Sequence, residues 1–463
     1  MKKAVSRLWK NWVDKVEAWS RVIVPSEREM GVSRVWEVVI ITAIVCGVIF
    51  LLVTCAHDIV DFHNRLAGHP MLRVLAWTGF SWTILSIILL AARTIGWFSY
   101  AAAPSAGEDD APTLTVVIPA YNEGHMVRLA IDSAARARYP RGKLRVVVVD
   151  DGSKDDTWEH ISAAAAEHPG VVIPVRQNRN RGKREALAAG FRATDAEVLV
   201  IVDSDSVIAP DALLAIAGPF RDPKVGAVAG KVSVYNLSQG FIPCLLYVNF
   251  LFIADFMRSW ESNFRTVHCC AGALMAVRAS AAKAVMEDWL GQTFLGGPCT
   301  IGDDRSLTNF ILLSGLDTVY QRSAVVRTVV PATYSKLCRM FLRWDRSYIR
   351  EETRFLRHVV WSRPLRARIF AFYDRFVTNT YTFICYTGIP LFFINVESKA
   401  YIPALLLAYT AWISMFYLLY YLRQQRLNSA VYAFLYPYYS VLTLFWIFPY
   451  AALTLKNRSW MTR

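Results

Sequence analysis

The stretch "LRVVVVDDGS", residues 144–153, runs four consecutive valines into two aspartates and a glycine. A β-branched run of this kind reads as a strand, and the polar tail presents Asp150 and Asp151 where that strand ends. Two more segments share the form: "PTLTVVIPAYNE" at 112–123 and "AEVLVIVDSDS" at 196–206. The helical stretches "GHMVRLAIDSAARARY" (124–139) and "KREALAAGFRAT" (183–194) lie between them. Strand alternating with helix predicts an α/β fold with a mostly parallel sheet, whose ligand crevice lies beyond the carboxyl ends of the strands. The three acidic tails are therefore expected to converge.

Asp203 and Asp205 flank one serine, so in an extended chain of period two their side chains lie on one side. Oxygen ligands so paired suit a hard divalent cation that keeps waters and bridges phosphate oxygens. Either acidic motif alone could serve as turn caps, but the pair on successive strands favours a site. "NRNRGKREAL", 178–187, brings Arg179, Arg181, Lys183 and Arg184 to the start of a helix without the GxxxxGK[ST] pattern of nucleotide hydrolases. Cations opposite metal-binding carboxylates suit a diphosphate. A third acidic pair, Asp303 and Asp304, stands in "FLGGPCTIGDDRSLTNF", 294–310, behind Gly302 and ahead of Arg305.

Outside this polar centre the chain is apolar: 54% of its 463 residues are hydrophobic and 13% aromatic, which argues against a soluble enzyme alone. Four segments, about 38–56, 74–92, 377–394 and 401–422, are long and apolar enough to cross a bilayer, as two hairpins. A fifth, 431–455, is interrupted by Pro437 and Pro449 and reads equally as a span or as a broken interfacial helix. Lys and Arg crowd residues 1–34 and return at 422–426, which predicts that both termini and everything from 93 to 376 lie in the cytoplasm. The N-terminal "MKKAVSRLWKNWVDKVEAWSRVIV" lacks a secretory cleavage pattern and reads as a basic amphipathic helix lying on membrane lipid. The eight cysteines show no zinc or disulfide spacing and fit a reducing compartment. A net charge of +14 would permit nucleic acid, yet no aromatic-basic RNA motif is present, and nucleic acid is not expected as a partner.

Together these motifs resemble the family 2 glycosyltransferases of the GT-A fold, and within them the processive membrane synthases. The resemblance is closest to hyaluronan synthases and next to rhizobial chitooligosaccharide synthases. It rests on "FLGGPCTIGDDRSLTN", "RWDRSYIRE" and the terminal "WMTR". It implies that "VVVVDDGS" contacts uridine through Asp151, with Tyr121 and Glu123 nearby, and that Asp203 and Asp205 form a DxD motif, Asp205 holding Mg²⁺ or Mn²⁺. It further implies that Lys183, Arg184 and Arg343 face the diphosphate, that Trp460 of "WMTR" caps the nucleotide, and that Asp304 is the base, oriented by Asp303 and Arg305. Cys269 of "VHCCAGALMAVR" and Trp344 of the "RW" pair would line the acceptor site. Met340 stands where a QxxRW motif has glutamine, and Met461 where WGTR has glycine.

The reading these implications support is an inner-membrane, processive, inverting glycosyltransferase that polymerises a β-linked polysaccharide from UDP-sugar donors and passes it through its own helices. Hyaluronan is the first choice. A chitin-like N-acetylglucosamine polymer, an alginate-type polymer and a non-processive lipid-linked transferase are the alternatives. The expected organisation is an interfacial helix (1–35), a transmembrane hairpin (36–99), a cytosolic GT-A domain (112–335), interface helices bearing the RW pair (336–370), a second hairpin (371–425) and a broken helix with the terminal loop (430–463). Sequence is silent on oligomeric state.

Overall fold

The computed structural model describes residues 73–395 and 430–457 without a break, and scattered residues among 46–70 and 410–421. The expected N-terminal helix, the first span apart from Cys46, and Trp460 with the rest of "WMTR" lie outside the described residues.

Helix α1 (Arg73–Ser99) leads into the sheet. Strands β1 (Leu114–Ala120), β2 (Leu144–Asp150), β3 (Val172–Arg176) and β4 (Val198–Ile201) pair in parallel in the order β3-β2-β1-β4. Every residue of β1 and the last five of β2 are buried, as strands covered on both faces must be. The two-residue period sorts their side chains. Val116, Ile118, Val146, Val148 and Val200 pack on one face with α2 (Val127–Ala135) and α3 (Thr157–Glu167). Val117, Leu199 and Ile201 pack on the other with Leu187 and Phe191 of α4 (Lys183–Arg192).

The sheet continues as β4-β7-β6-β10-β5, built from β5 (Ser206–Ile208), β6 (Val225–Val234), β7 (Met275–Arg278) and β10 (Asp317–Thr328). The short helix α5 (Ala212–Ala217) packs beneath it, and a small hairpin, β8 (Thr293–Phe294) and β9 (Gly297–Pro298), stands apart. This half departs from the expected parallel array, because β7 is antiparallel to both neighbours and β5 is antiparallel to β10. The reversal has a positional consequence. Met275 pairs with Ile201 and Arg278 with Val198, so β7 starts at the edge where β4 ends, and residues 269–274 arrive beside Asp203.

Two helical stretches are long and apolar enough to cross a membrane by length and composition, Ala76–Ser99 and Phe241–Asn263. The first exposes Trp77, Phe80, Ile84, Ile87, Ile88 and Ile95 along α1. The second, comprising α6 (Phe241–Leu251), a π-helical turn (Phe252–Met257) and α7 (Arg258–Asn263), is mostly buried and carries Asp255, Arg258 and Glu261 inside the protein. It packs as a core helix, which sequence reading left unmarked within the catalytic domain.

Helices α8 (Ala279–Leu290) and α9 (Asp303–Leu313) follow β7, and α10 (Tyr334–Arg354) follows β10. Leu337, Met340 and Leu342 of α10 enter the main core with Leu444, Ile447 and Ala451 of the C-terminal segment. Helix α11 (Leu365–Asn395) begins well before the apolar run of its second half. In the fifth apolar segment α12 (Ala430–Tyr439), with Pro437 inside it, passes through a π-helical turn at Ser440–Leu444, and the chain restarts as α13 (Ile447–Leu453) with Pro449 inside it.

Candidate active site

Three segments converge where β4 ends. Asp203 lies just past the strand, its Oδ1 accepting from Lys183 Nζ at 2.5 Å. Burial would depress the Lys183 ammonium, but Asp203, Asp303 and Asp304 outweigh it and hold the group above its usual value. Gly272, delivered by the reversed β7, sits among them. A Cβ built there would lie 3.4 Å from Lys183 Nζ, 3.7 Å from Asp203 Oδ1 and 3.7 Å from Asp304 Cβ. Asp205 accepts from Thr328 Oγ1 of β10 at 3.2 Å. Two carboxylates with a hydroxyl beside one of them form an all-oxygen donor set, which fits a hard divalent cation.

The Asp303–Asp304 pair opens α9. Gly302 precedes it at φ +72°, a left-handed conformation, and a Cβ there would strike Ser347 Cβ of α10 at 2.4 Å. Glycine thus permits both the turn and the helix contact. The two carboxylates diverge. Asp303 is buried against Arg184 Nε at 3.3 Å, and Arg184 also donates to the Trp289 carbonyl at 2.9 Å. Half-buried Asp304 turns toward Gly272, whose backbone N–H donates to its Oδ2 at 3.2 Å. The Cys269 thiol lies 3.8 Å from the same oxygen, and burial with the nearby Asp304 charge pushes it up to about 12, so it stays protonated. Arg305 points the other way, its guanidinium over the Tyr348 ring at 5.1 Å.

Helix α10 closes the crevice. Burial draws the Arg343 guanidinium below its usual value, against the pull of the Asp303, Asp203, Asp304 and Asp205 charges. Trp344 packs between Phe250 and Phe341, with ring centroids 5.9 Å and 5.6 Å away. Met340 lies in the core. An amide in its place would need buried partners, so the departure from QxxRW is a packing matter in this conformation.

The other expected residues sort by environment. Glu123 accepts from Ser204 Oγ at 2.7 Å, tying the loop after β1 to the Asp203–Asp205 segment, and Tyr121 is half-buried beside it. Asp151, expected to present an open carboxylate, is buried and accepts from the backbone N–H groups of Arg181 and Gly182, each at 2.8 Å. Burial pushes its carboxyl up against those two donors. Here it shapes the loop leading to Lys183. The cation cluster divides likewise: Lys183 reaches the acids, Arg184 is committed to Asp303, and Arg179 and Arg181 are exposed. Sequence reading missed Gly272 and the buried polar residues Gln292 and Glu351. Nothing local marks them, because their partners are remote in sequence.

A mostly parallel sheet with acidic groups gathered where its strands end, and Lys183 held against them, defines an α/β fold with a candidate site at its crevice. The family model described as glycosyltransferase-like family 2 matches residues 111–347, just over half of the chain, and the chain belongs to that family. Among curated relatives, an N-acetylglucosaminyltransferase of Azorhizobium caulinodans is 34% identical over 246 residues, covering 53% of this chain and 62% of the relative. An N-acetylglucosaminyltransferase of Rhizobium meliloti is 34% identical over 271 residues, covering 58% and 62%. The match thus spans less than two thirds of either relative's length. Among solved structures, a mannosyltransferase from Pyrobaculum calidifontis in complex with GDP-Man and Mn²⁺ superposes with a TM-score of 0.60 at 22% identity, covering 83% of this chain and 97% of that one. That likeness establishes the shared GT-A-type α/β fold.

Proposed function

We propose that the chain is a membrane-associated, inverting transferase that moves N-acetylglucosamine from UDP-GlcNAc to the end of a growing β-linked saccharide. The observation that carries the reading is the gathering of Asp203, Lys183 and Asp304 around Gly272. The N-acetylglucosaminyltransferases to which the chain is similar support the choice of sugar. They favour a chitin-like product over hyaluronan, which would require UDP-GlcA as a second donor. The apolar, exposed flank of α1 supports burial in lipid, with the catalytic domain on the cytoplasmic side.

In this reading the acceptor hydroxyl oxygen attacks the anomeric carbon while Asp304 takes its proton. The bond from that carbon to the phosphate oxygen breaks, and its electron pair leaves with UDP. Lys183 and Arg343 balance the charge gathering on the diphosphate. Asp203 and Asp205 would hold Mg²⁺ or Mn²⁺, which supplies further positive charge there. The Gly272 N–H and the Cys269 thiol orient the Asp304 carboxylate toward the crevice. Trp344 offers the acceptor sugar an aromatic edge.

The test is UDP release by the detergent-purified full chain with Mn²⁺ or Mg²⁺, given UDP-GlcNAc, UDP-GlcA or both, with Asp304→Asn as control and EDTA as metal removal. Turnover on UDP-GlcNAc alone, giving a chitinase-sensitive product and lost with EDTA, is expected. Turnover only with both donors would return the assignment to hyaluronan. No turnover with either would remove the donor assignment.

A further inference from the structure

Behind the crevice lies a buried polar network that the transfer step itself does not use. Gln292, between α8 and β8, is almost wholly buried. Its Oε1 accepts from Arg184 Nη1 of α4 at 3.0 Å and from Ser306 Oγ of α9 at 2.6 Å. Its Nε2 donates to Glu351 Oε1 of α10 at 2.8 Å. One amide thus touches the three helices that carry Lys183, Asp304 and Arg343.

The neighbours explain why an amide is there. Arg184 can only donate and an ionised Glu351 can only accept, so the residue between them must accept at one end and donate at the other without charge. Glutamine does both. A carboxylate would face Glu351 with like charge, and an apolar side chain would take one partner from a buried guanidinium and one from a buried carboxylate. The network extends on both sides. Glu351 also accepts from Arg350 Nε at 2.7 Å and from Asn309 Nδ2 of α9 at 3.2 Å, while Arg350 donates to the Ile301 carbonyl just before Gly302. On the other side Arg184 holds Asp303, and its sequence neighbour Lys183 holds Asp203.

Glu351 lies seven residues beyond Trp344 on α10, and Arg350 seven beyond Arg343. Each pair shares a helix face two turns apart. Fixing the far end of α10 to α9 therefore fixes where the RW end stands relative to Asp304. We infer that Gln292 is a positioning residue: it sets the spacing of the base-bearing α9, the Arg343-bearing α10 and the Lys183-bearing α4. The inference rests on the transferase reading of Asp304 and Arg343.

The experiment compares wild type with Gln292→Met, which keeps length and volume but loses all three bonds, and with Ser306→Ala, which loses one. Both are made in the full chain purified in detergent. Steady-state UDP release from UDP-GlcNAc with Mn²⁺ is read beside hydrogen exchange of backbone amides. Displacing a base by a fraction of an ångström costs turnover more than donor binding. Gln292→Met is expected to lower kcat roughly 30-fold with KM for UDP-GlcNAc within about threefold, and Ser306→Ala to lower kcat about threefold. Exchange should rise together in residues 301–309 and 343–351 and stay unchanged in β1 and β2. Unchanged kcat in both variants would overturn the inference. So would a loss of kcat accompanied by faster exchange across the whole sheet, because that is ordinary core destabilisation. If Gln292→Met does not fold, Ser306→Ala decides by the same two readouts. Absence of turnover by wild type on any sugar nucleotide would defeat the transferase reading instead, and the exchange pattern would still report whether Gln292 joins the helices.

Discussion

Asp150–Asp151 and Asp303–Asp304 are the same dipeptide, each beside a glycine, yet they end in different employment. The first pair closes a strand. Asp150 accepts from the Ser153 N–H at 2.9 Å, and Asp151 spends both oxygens on the loop at Arg181 and Gly182. The second pair opens a helix, and the helical turn sends one carboxylate inward to Arg184 and the other out to the crevice. Asp151 is buried and holds the loop in shape, whereas Asp304, which accepts from the Arg305 N–H at 2.8 Å on one oxygen and from the Gly272 N–H on the other, is only half-buried, and a carboxylate oxygen with one donor keeps a second lone pair for chemistry.

The widest separation is expected within the second pair. Asp304→Asn should lower turnover roughly 10³-fold with unfolding temperature unchanged, the range of a lost general base. Asp303→Asn should lose activity together with about 3 kcal/mol of stability, because it strands the buried Arg184. Equal thermal stability of the two variants would erase the distinction. Next in size is Gly272, whose open space defines the crevice side of Asp304. Gly272→Val should cut UDP release about 100-fold by crowding Lys183 and Asp203, whereas Gly272→Ala, meeting them at ordinary contact distances, should cost far less. A tolerant Gly272→Val would mean that acceptor and donor meet elsewhere.

The glycines beside the two pairs make a smaller, symmetrical test. Gly152 has φ +72°, and a Cβ there would strike the Arg179 backbone at 2.5 Å, as one on Gly302 would strike Ser347. Alanine at either position should destabilise by about 2 kcal/mol in thermal melts. The smallest effect concerns Asp151 and pH. Burial raises its folded-state carboxyl, so the folded chain keeps a proton that the unfolded chain has released. Stability therefore falls as pH rises from about 4 through the folded-state value. Asp151→Asn removes that slope, and its stability relative to wild type should improve from pH 4 to pH 8 in denaturant titrations. A constant difference across that range would mean that the carboxyl is not held above its ordinary value.

The comparison also marks what could be read in advance. β1, β2 and β4 were legible because buried parallel strands write themselves as unbroken β-branched runs, and the acidic residues at their ends follow from the chain having to leave the sheet there. Which aspartate of a doublet faces outward was not legible. That depends on donors supplied from far along the chain, such as the Gly182 N–H for Asp151 and Gly272 for Asp304. The reversed β7 was hidden because "LMAVR" is too short and too uniformly apolar to declare a direction. Phe241–Asn263 shows the limit of hydropathy: it resembles α1 in length and composition but is a core helix.

The placement of β7 bears on how the chain is made. Strand β6 emerges from the ribosome before β7, yet β7 must stand between it and β4. Until residues 275–278 have been synthesised, β4 and β6 each offer an open apolar edge, and both lie in the same direction, so they could pair with one another. That premature sheet would exclude the strand that carries residues 269–274 to the crevice. Synthesis in order, with the β4–β6 gap kept open until its late occupant arrives, is a demand this topology places on the cell.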